Sequence, residues 1–193
     1  MHKYGVNLMA KKRTTVSIEE EILEEAKASG LNVSQVAEAA LKKEMTDRDY
    51  YFVNSNRDTF SDKDEDGTQV YSHGVTVTYG PQKFGDKLKP MEPGDRVFHW
   101  VDKVGVLAEG RVTGHWDGKA ANDAECVYTG HTEYHLPTRW LVVLDEDDAI
   151  TSSEIKEITG RKHPQGTRQE ISDSKYNVER LQEVIRGRAV NYK

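Results

Sequence analysis

Residues 12–45 constrain the fold most. In KRTTVSI (12–18), Thr14, Val16 and Ile18 alternate with Arg13, Thr15 and Ser17. β-Branched residues at period two predict a strand. Residues 19–29 predict a helix, with Glu19, Glu20 and Glu21 where the macrodipole favours acids and Ile22, Leu23 and Ala26 as its apolar stripe. Gly30 is placed to end it. Asn32 reads as the N-cap of a second helix, with Gln35 three residues on and Val33, Val36, Ala37, Ala40 and Leu41 on one face. A strand and two helices in about 34 residues cannot bury a core alone. A strand with no partner also leaves a bare ladder edge. Both problems vanish when two copies pair their strands across a two-fold axis, so a homodimer is expected.

Charge sharpens this unit. The net charge of the chain is −6, yet residues 1–18 carry Lys3, Lys11, Lys12 and Arg13 and no acid. Hydrophobic residues make up 36% and charged residues 31%, polar for a globular chain but enough for a core. No apolar run approaches the ~18 residues of a membrane helix, which excludes an integral helical membrane protein. MHKYGVNLMAKK lacks the apolar stretch of a secretory signal. Residues 1–11 are expected to be a flexible leader, and Met9 is an alternative start. A single cysteine, Cys126, cannot form an internal disulfide and suits the reducing cytoplasm.

Residues 46–193 read as a second unit of mixed elements. YYFVNSN (50–56) is an aromatic strand, 57–68 a charged loop, and 69–79 a strand or short helix broken by Gly80-Pro81. Residues 82–89 suit a short helix. The Pro93-Gly94-Asp95 turn feeds RVFHWV (96–101), which pairs with VGVLAEGRV (104–112) as a hairpin. Residues 114–135 read as a polar loop and RWLVVL (139–144) as a buried strand. Thr151 with Glu154 forms a capping box for a helix ending at Gly160, and 174–187 is a final amphipathic helix. This pattern predicts an α+β fold with a curved mixed sheet and flanking helices.

The strand–helix–helix of residues 12–45, carried by KRTTVSI, Gly30 and LNVSQ, resembles the ribbon–helix–helix family of DNA-binding dimers. That resemblance implies a two-stranded antiparallel ribbon in the major groove, with alternate side chains reading bases. Carried over, the readers are Arg13, Thr15 and Ser17. Arginine can bond guanine O6 and N7, and hydroxyls serve either base type. The amino end of the second helix, at Asn32 and Ser34, would hold a phosphate of double-stranded DNA, and Lys11 and Lys12 would add phosphate contacts. The plain alternative is a dimerisation tag. Glu19, Glu20, Glu21, Glu24 and Glu25 would have to face away from DNA.

YYFVNSN followed by YGPQKFGDKLKPMEPGDRVFHWVDKVGVLAEGRV resembles the PUA-like superfamily, in particular EVE-type domains, over about residues 49–190. That resemblance implies a pocket gripping a flipped, unpaired or modified base. Such a site needs an aromatic face to stack the base and polar groups to read its edge. Trp100 is the candidate wall, with Tyr51, Tyr79 and Trp140 as further walls. Asn54 and Ser55 are candidate edge readers, and Asn56 can take the place of Asn54, since strand phase alone does not choose. The plain alternative is that Trp100 and Trp140 are core, which for any single aromatic is the commoner reading.

Other signals are weaker. Cys126, His131 and His135, with His115, have spacings a metal could use, but loop residues of these types co-occur by chance, and no metal or other cofactor is expected. Asp145, Glu146, Asp147 and Asp148 read as a solvated turn. No phosphate-cradling glycine loop or paired-carboxylate motif appears, and no catalysis is expected. The combined expectation is a dimeric, sequence-specific DNA-binding regulator with an appended domain for a nucleotide or modified base. Two alternatives stand beside it. One is an antitoxin whose carboxy-terminal part grips a toxin protein. The other is a defence-associated reader of modified DNA.

Overall fold

The computed structural model describes residues 15–38, 48–61, 69–128, 130–162, 164–171 and 176–190. The chain divides into two compact units, Met1–Thr46 and Asp47–Lys193.

In the first unit, residues 15–19 lead into α1 (Glu20–Ala28) without joining a sheet. The amino-terminal part of the expected strand lies outside the described residues. α1 ends in a Schellman motif: the Gly30 amide donates to Lys27 O and the Leu31 amide to Ala26 O, both at 2.9 Å. Gly30 takes the left-handed φ of +71° that this motif requires. Asn32 then caps α2 (33–38), its Oδ1 accepting from the Gln35 amide at 3.1 Å. No residue of α1 is buried. Ile18, Ile22, Leu23, Leu31, Val33 and Val36 line an open apolar cleft of about 250 Å³.

The second unit is α+β, as the sequence implies. Its elements are β1 (Tyr50–Ser55), α3 (Arg57–Ser61), α4 (Gln69–Ser72), β2 (Val75–Tyr79), α5 (Gln82–Gly85), β3 (Arg96–Val101), β4 (Gly105–Val112), β5 (Glu133–Val143), α6 (Ser152–Thr159), β6 (Arg168–Ile171) and α7 (Val178–Val190). Six strands form one curved mixed sheet in the order β2-β5-β4-β3-β1-β6. β1 and β3 are parallel, and all other pairs are antiparallel. Register shifts at His99/Trp100 and Glu109/Gly110 mark bulges, which increase twist and curl the sheet.

Both faces of the central strands are covered, which is why β1 and β3 read as almost unbroken apolar runs. On one face Phe52, Phe98 and Trp100 pack against Ile155 of α6 and Leu181 and Ile185 of α7. Each such aliphatic side chain contributes about 1.5–3 kcal/mol when fully buried. On the other face Tyr51, Val53 and Val97 pack with Leu88, Met91 and Leu136. A third cluster joins Phe60 of α3, Val70 of α4 and Val77 of β2 to Leu107 and Tyr128.

Several expectations shift here. The charged stretch after β1 begins as helix α3, because the Asn56 carboxamide caps it by accepting from the Asp58 amide at 2.9 Å. Residues 69–79 hold both a helix and a strand. β5 begins at Glu133, inside the stretch read as loop. Its Glu133 is fully buried, accepting from the amides of Val127 (2.8 Å) and Tyr128 (2.5 Å), so a charged residue hid the start of a strand. The short charged edge strand β6 has no counterpart in the sequence pattern. α6 forms with both halves of its Thr151–Glu154 capping box.

Candidate functional site

A cleft of about 290 Å³ opens where several chain segments meet at the carboxy-terminal ends of β1 and β3. Asn54 and Asn56 line it from the end of β1, Tyr79 from the end of β2 and Phe84 from α5. Asp102 of the β3–β4 turn and Gly166-Thr167 before β6 complete it. Carboxy ends of parallel strands, where connections diverge, are the common location for ligand sites in open sheets. The volume lies near the lower end for small-molecule pockets.

The geometry of each wall follows from local structure. The Tyr79 hydroxyl accepts from the Asn56 amide at 2.8 Å, which ties the end of β2 to the end of β1. Tyr128 stands edge-on to the Tyr79 ring at 5.5 Å, and His131 lies 5.1 Å from it. Gly80, at φ +104°, turns the chain so that Phe84 comes back over it, and a Cβ there would lie 3.2 Å from the Phe84 ring. The Lys83 ammonium sits 5.3 Å from the centroid of that ring. The Asn54 amide donates to Thr167 O at 2.9 Å, bringing the 166–167 segment onto the cleft. The Asn54 carboxamide oxygen is buried and has no hydrogen-bond partner among the described residues. A buried unpaired acceptor is costly and asks for a donor.

Beneath the cleft runs a buried chain of hydrogen bonds. Tyr71 OH meets His99 Nδ1 at 2.8 Å, His99 Nε2 meets Ser55 Oγ at 2.8 Å, and Ser55 Oγ meets Tyr128 OH at 3.4 Å. Desolvation pushes the His99 pKa down to about 3, so the imidazole is neutral at physiological pH. Burial also pushes the Tyr71 phenol well above its ordinary value. Ser55, between Asn54 and Asn56, is therefore locked inward, and its two neighbours are held at the cleft.

The structure separates the residues that the sequence grouped. Asn54, Asn56 and Tyr79 come together in the cleft. Ser55 supports it from below and is not a wall. Trp100 is core: 3% exposed, it packs with Phe52 and Phe98 on the α7 face and does not line the cleft. Tyr51 is buried, its hydroxyl donating to Pro90 O at 3.3 Å and its ring lying 4.8 Å under the Arg168 guanidinium. Trp140 is half-buried against Tyr71 and His99, its Nε1 donating to Val75 O at 3.3 Å. Phe84, Asp102, Gly166 and Thr167 were missed. In the first unit, Lys11, Lys12 and Arg13 lie outside the described residues. Thr15, Ser17 and Ser34 are exposed, and Asn32 serves as the cap of α2. No group of three metal-ligating side chains clusters among the described residues. His135 is bound to Glu133 at 2.7 Å, and His115 pairs with Glu92 at 3.1 Å.

Comparison with known proteins bears on both units. Residues 11–61 match the model of the post-segregation antitoxin CcdA family. No curated protein matches the chain. Among solved structures, the second unit is similar to the YTH domain of the Zygosaccharomyces rouxii MRB1 protein in complex with N6-methyladenosine RNA. That likeness has 12% identity, covers 72% of this chain and 88% of that one, and has a TM-score of 0.50. An apo CPSF4 YTH domain from Toxoplasma matches at 14% identity over 73% of this chain and 87% of that one, TM-score 0.45. A protein of Agrobacterium tumefaciens matches at 12% over 70% and 92%, TM-score 0.38. The first match shows the fold: a curved mixed sheet of the YTH and PUA-like kind with flanking helices.

Proposed function

We propose that this chain is a dimeric DNA-binding regulator of antitoxin type whose second unit reads a single base, modified at its edge, in the Asn54–Tyr79 cleft. The observation that carries the reader is the buried, unpartnered Asn54 carboxamide oxygen beside the rings of Tyr79 and Phe84. An exocyclic N–H of a base entering the cleft would satisfy that oxygen while a ring stacks the base. A methylated adenine amine keeps one such N–H, and the similar YTH domain was solved with N6-methyladenosine RNA. No step of this reading calls for catalysis.

The first unit supplies the second half. Val16 is 62% exposed and Ile22 55%, and a second copy would cover them while pairing residues 12–18 into a ribbon. Arg13, Thr15 and Ser17 would then face the bases and Lys11 and Lys12 the phosphates. The match of residues 11–61 to an antitoxin family favours a second reading, in which the chain also neutralises a toxin protein.

One stacked base is worth about 1–3 kcal/mol, less than the ~4 kcal/mol of a millimolar complex. The cleft therefore confers selectivity more than affinity. The test is fluorescence anisotropy of the full chain with two single-stranded oligonucleotides differing in one N6-methyladenine. The modified strand should bind more tightly, and Tyr79→Ala or Asn54→Ala should erase the difference at a cost of about 1–3 kcal/mol. Equal binding of both strands by the parent would overturn the reading.

A further inference from the structure

Three arginines stand in one row across the sheet. Arg96 of β3 is in register with Arg111 of β4, and Arg111 with Arg139 of β5. Directly paired residues point to the same face, here the face carrying Phe98, Glu109 and α7. At about 4.8 Å between strands the row spans about 10 Å. Like charges directly opposite one another destabilise a sheet. Burial lowers the pKa of Arg96, Glu109 opposes this, and the charges of Arg48, Arg186 and Arg111 lower it further.

The neighbouring carboxylate is already committed. Glu109 is fully buried and accepts from Gln182 at 2.6 Å and from Arg186 at 2.6 and 2.8 Å. Arg96 Nη1 lies 3.6 Å from it, yet Arg96 Nε and Nη1 are buried without a hydrogen-bond partner among the described residues. Arg111 and Arg139 are exposed. The acids Asp49, Asp95 and Glu170 act instead on Tyr51, on the opposite face. In a chain of net charge −6 these arginines share one face of the sheet, and the buried Glu109 is the carboxylate placed against Arg96 and Arg186.

We propose that the Arg96–Arg111–Arg139 row is a docking surface for the sugar–phosphate backbone of a single-stranded nucleic acid. The inference rests on the reader function of the same unit. A cleft for one base needs a second grip to hold a strand. Guanidinium forks suit phosphate oxygens, binding them in bidentate fashion. The row and the cleft lie at opposite ends of β3, about 17 Å apart by strand rise. α6 and α7 pack over the sheet face between them, so only a strand long enough to pass around those helices would touch both, and a mononucleotide only the cleft.

The test uses the full chain, a labelled single-stranded 9-mer and a mononucleotide, each titrated across a range of salt concentrations. The double variant Arg111→Gln/Arg139→Gln removes two exposed charges that face each other and should not lower the thermal melt. It should weaken 9-mer binding about tenfold at low salt and flatten the slope of log affinity against log salt by about 1.4, at ~0.7 for each phosphate released. Mononucleotide binding should not change. Any contribution from Lys11, Lys12 or Arg13 is common to parent and variant and cancels in the difference. Tyr79→Ala should keep the parental slope. If Tyr79→Ala changes nothing while the arginine variant flattens the slope, the cleft reading fails and the row stands. An unchanged slope and affinity in the arginine variant would overturn the proposal. So would a parent that binds hexaglutamate but no oligonucleotide, which would mark the row as a peptide site.

Discussion

α1 and α7 are both amphipathic helices, and they meet opposite fates. In α7, Val178, Leu181 and Ile185 are fully buried. In α1 nothing is buried, and Ile22 is 55% exposed. Local sequence does not account for this, since both carry an apolar stripe at helical spacing and both carry exposed charges. The difference is what lies behind them. α7 rests on a six-stranded sheet made by its own unit, whereas α1 follows residues 15–19, which join no sheet among the described residues. The second unit thus buries the apolar face of its helix within its own core, whereas the first leaves its apolar side chains exposed among the described residues.

This contrast can be broken most severely at Trp100. Trp100→Ala should destabilise the second unit by about 3–5 kcal/mol, as for a large aromatic cut from a packed core. Chemical denaturation would register it as a lower midpoint. Ile22→Asp should leave that midpoint in place and abolish self-association, measured by sedimentation. A stable monomer of the parent at micromolar concentration would remove the case for a second copy.

The buried His99 gives the second unit a pH signature. Its folded pKa of about 3 lies below the ~6.5 of the unfolded chain. Between those values the unfolded state binds a proton that the native state does not. Stability is therefore full above about pH 6.5 and falls by about 1.4 kcal/mol per pH unit on acidification toward pH 3. His99→Gln should flatten this part of the profile, as followed by urea melts at successive pH values. Smaller still is the cap of α2. Asn32→Ala should cost about 1 kcal/mol of helix stability in the first unit, visible by circular dichroism.

What the sequence reveals follows the same division between local and long-range. α6 was legible because its signals are adjacent residues: Thr151, Glu154 and Gly160. The β3–β4 hairpin was legible from its turn and flanking runs. In the site, Asn54 and Asn56 stood out as amides closing an apolar strand. Phe84, Asp102 and Thr167 did not, because α5 and two separate loops converge only once β1 and β3 lie parallel. Trp100 was ambiguous for a different reason. RVFHWV is apolar on both faces, so alternation carries no phase, and only the packing of α7 decides that Trp100 turns toward the core. β6 was invisible because a four-residue edge strand, RQEI, presents mostly polar side chains.

In the function proposed above, the cleft at the ends of β1 and β3 takes a base against Tyr79 and pairs it with Asn54. Side-chain amide resonances of the ¹⁵N-labelled full-length protein test this directly, even for weak binding. On titration with N6-methyladenosine, the carboxamide signals of Asn54 and Asn56 should shift and saturate, while those of Asn32, Asn122 and Asn177 stay in place. Stationary Asn54 and Asn56 signals throughout the titration, or shifts confined to the other asparagines, would contradict the account.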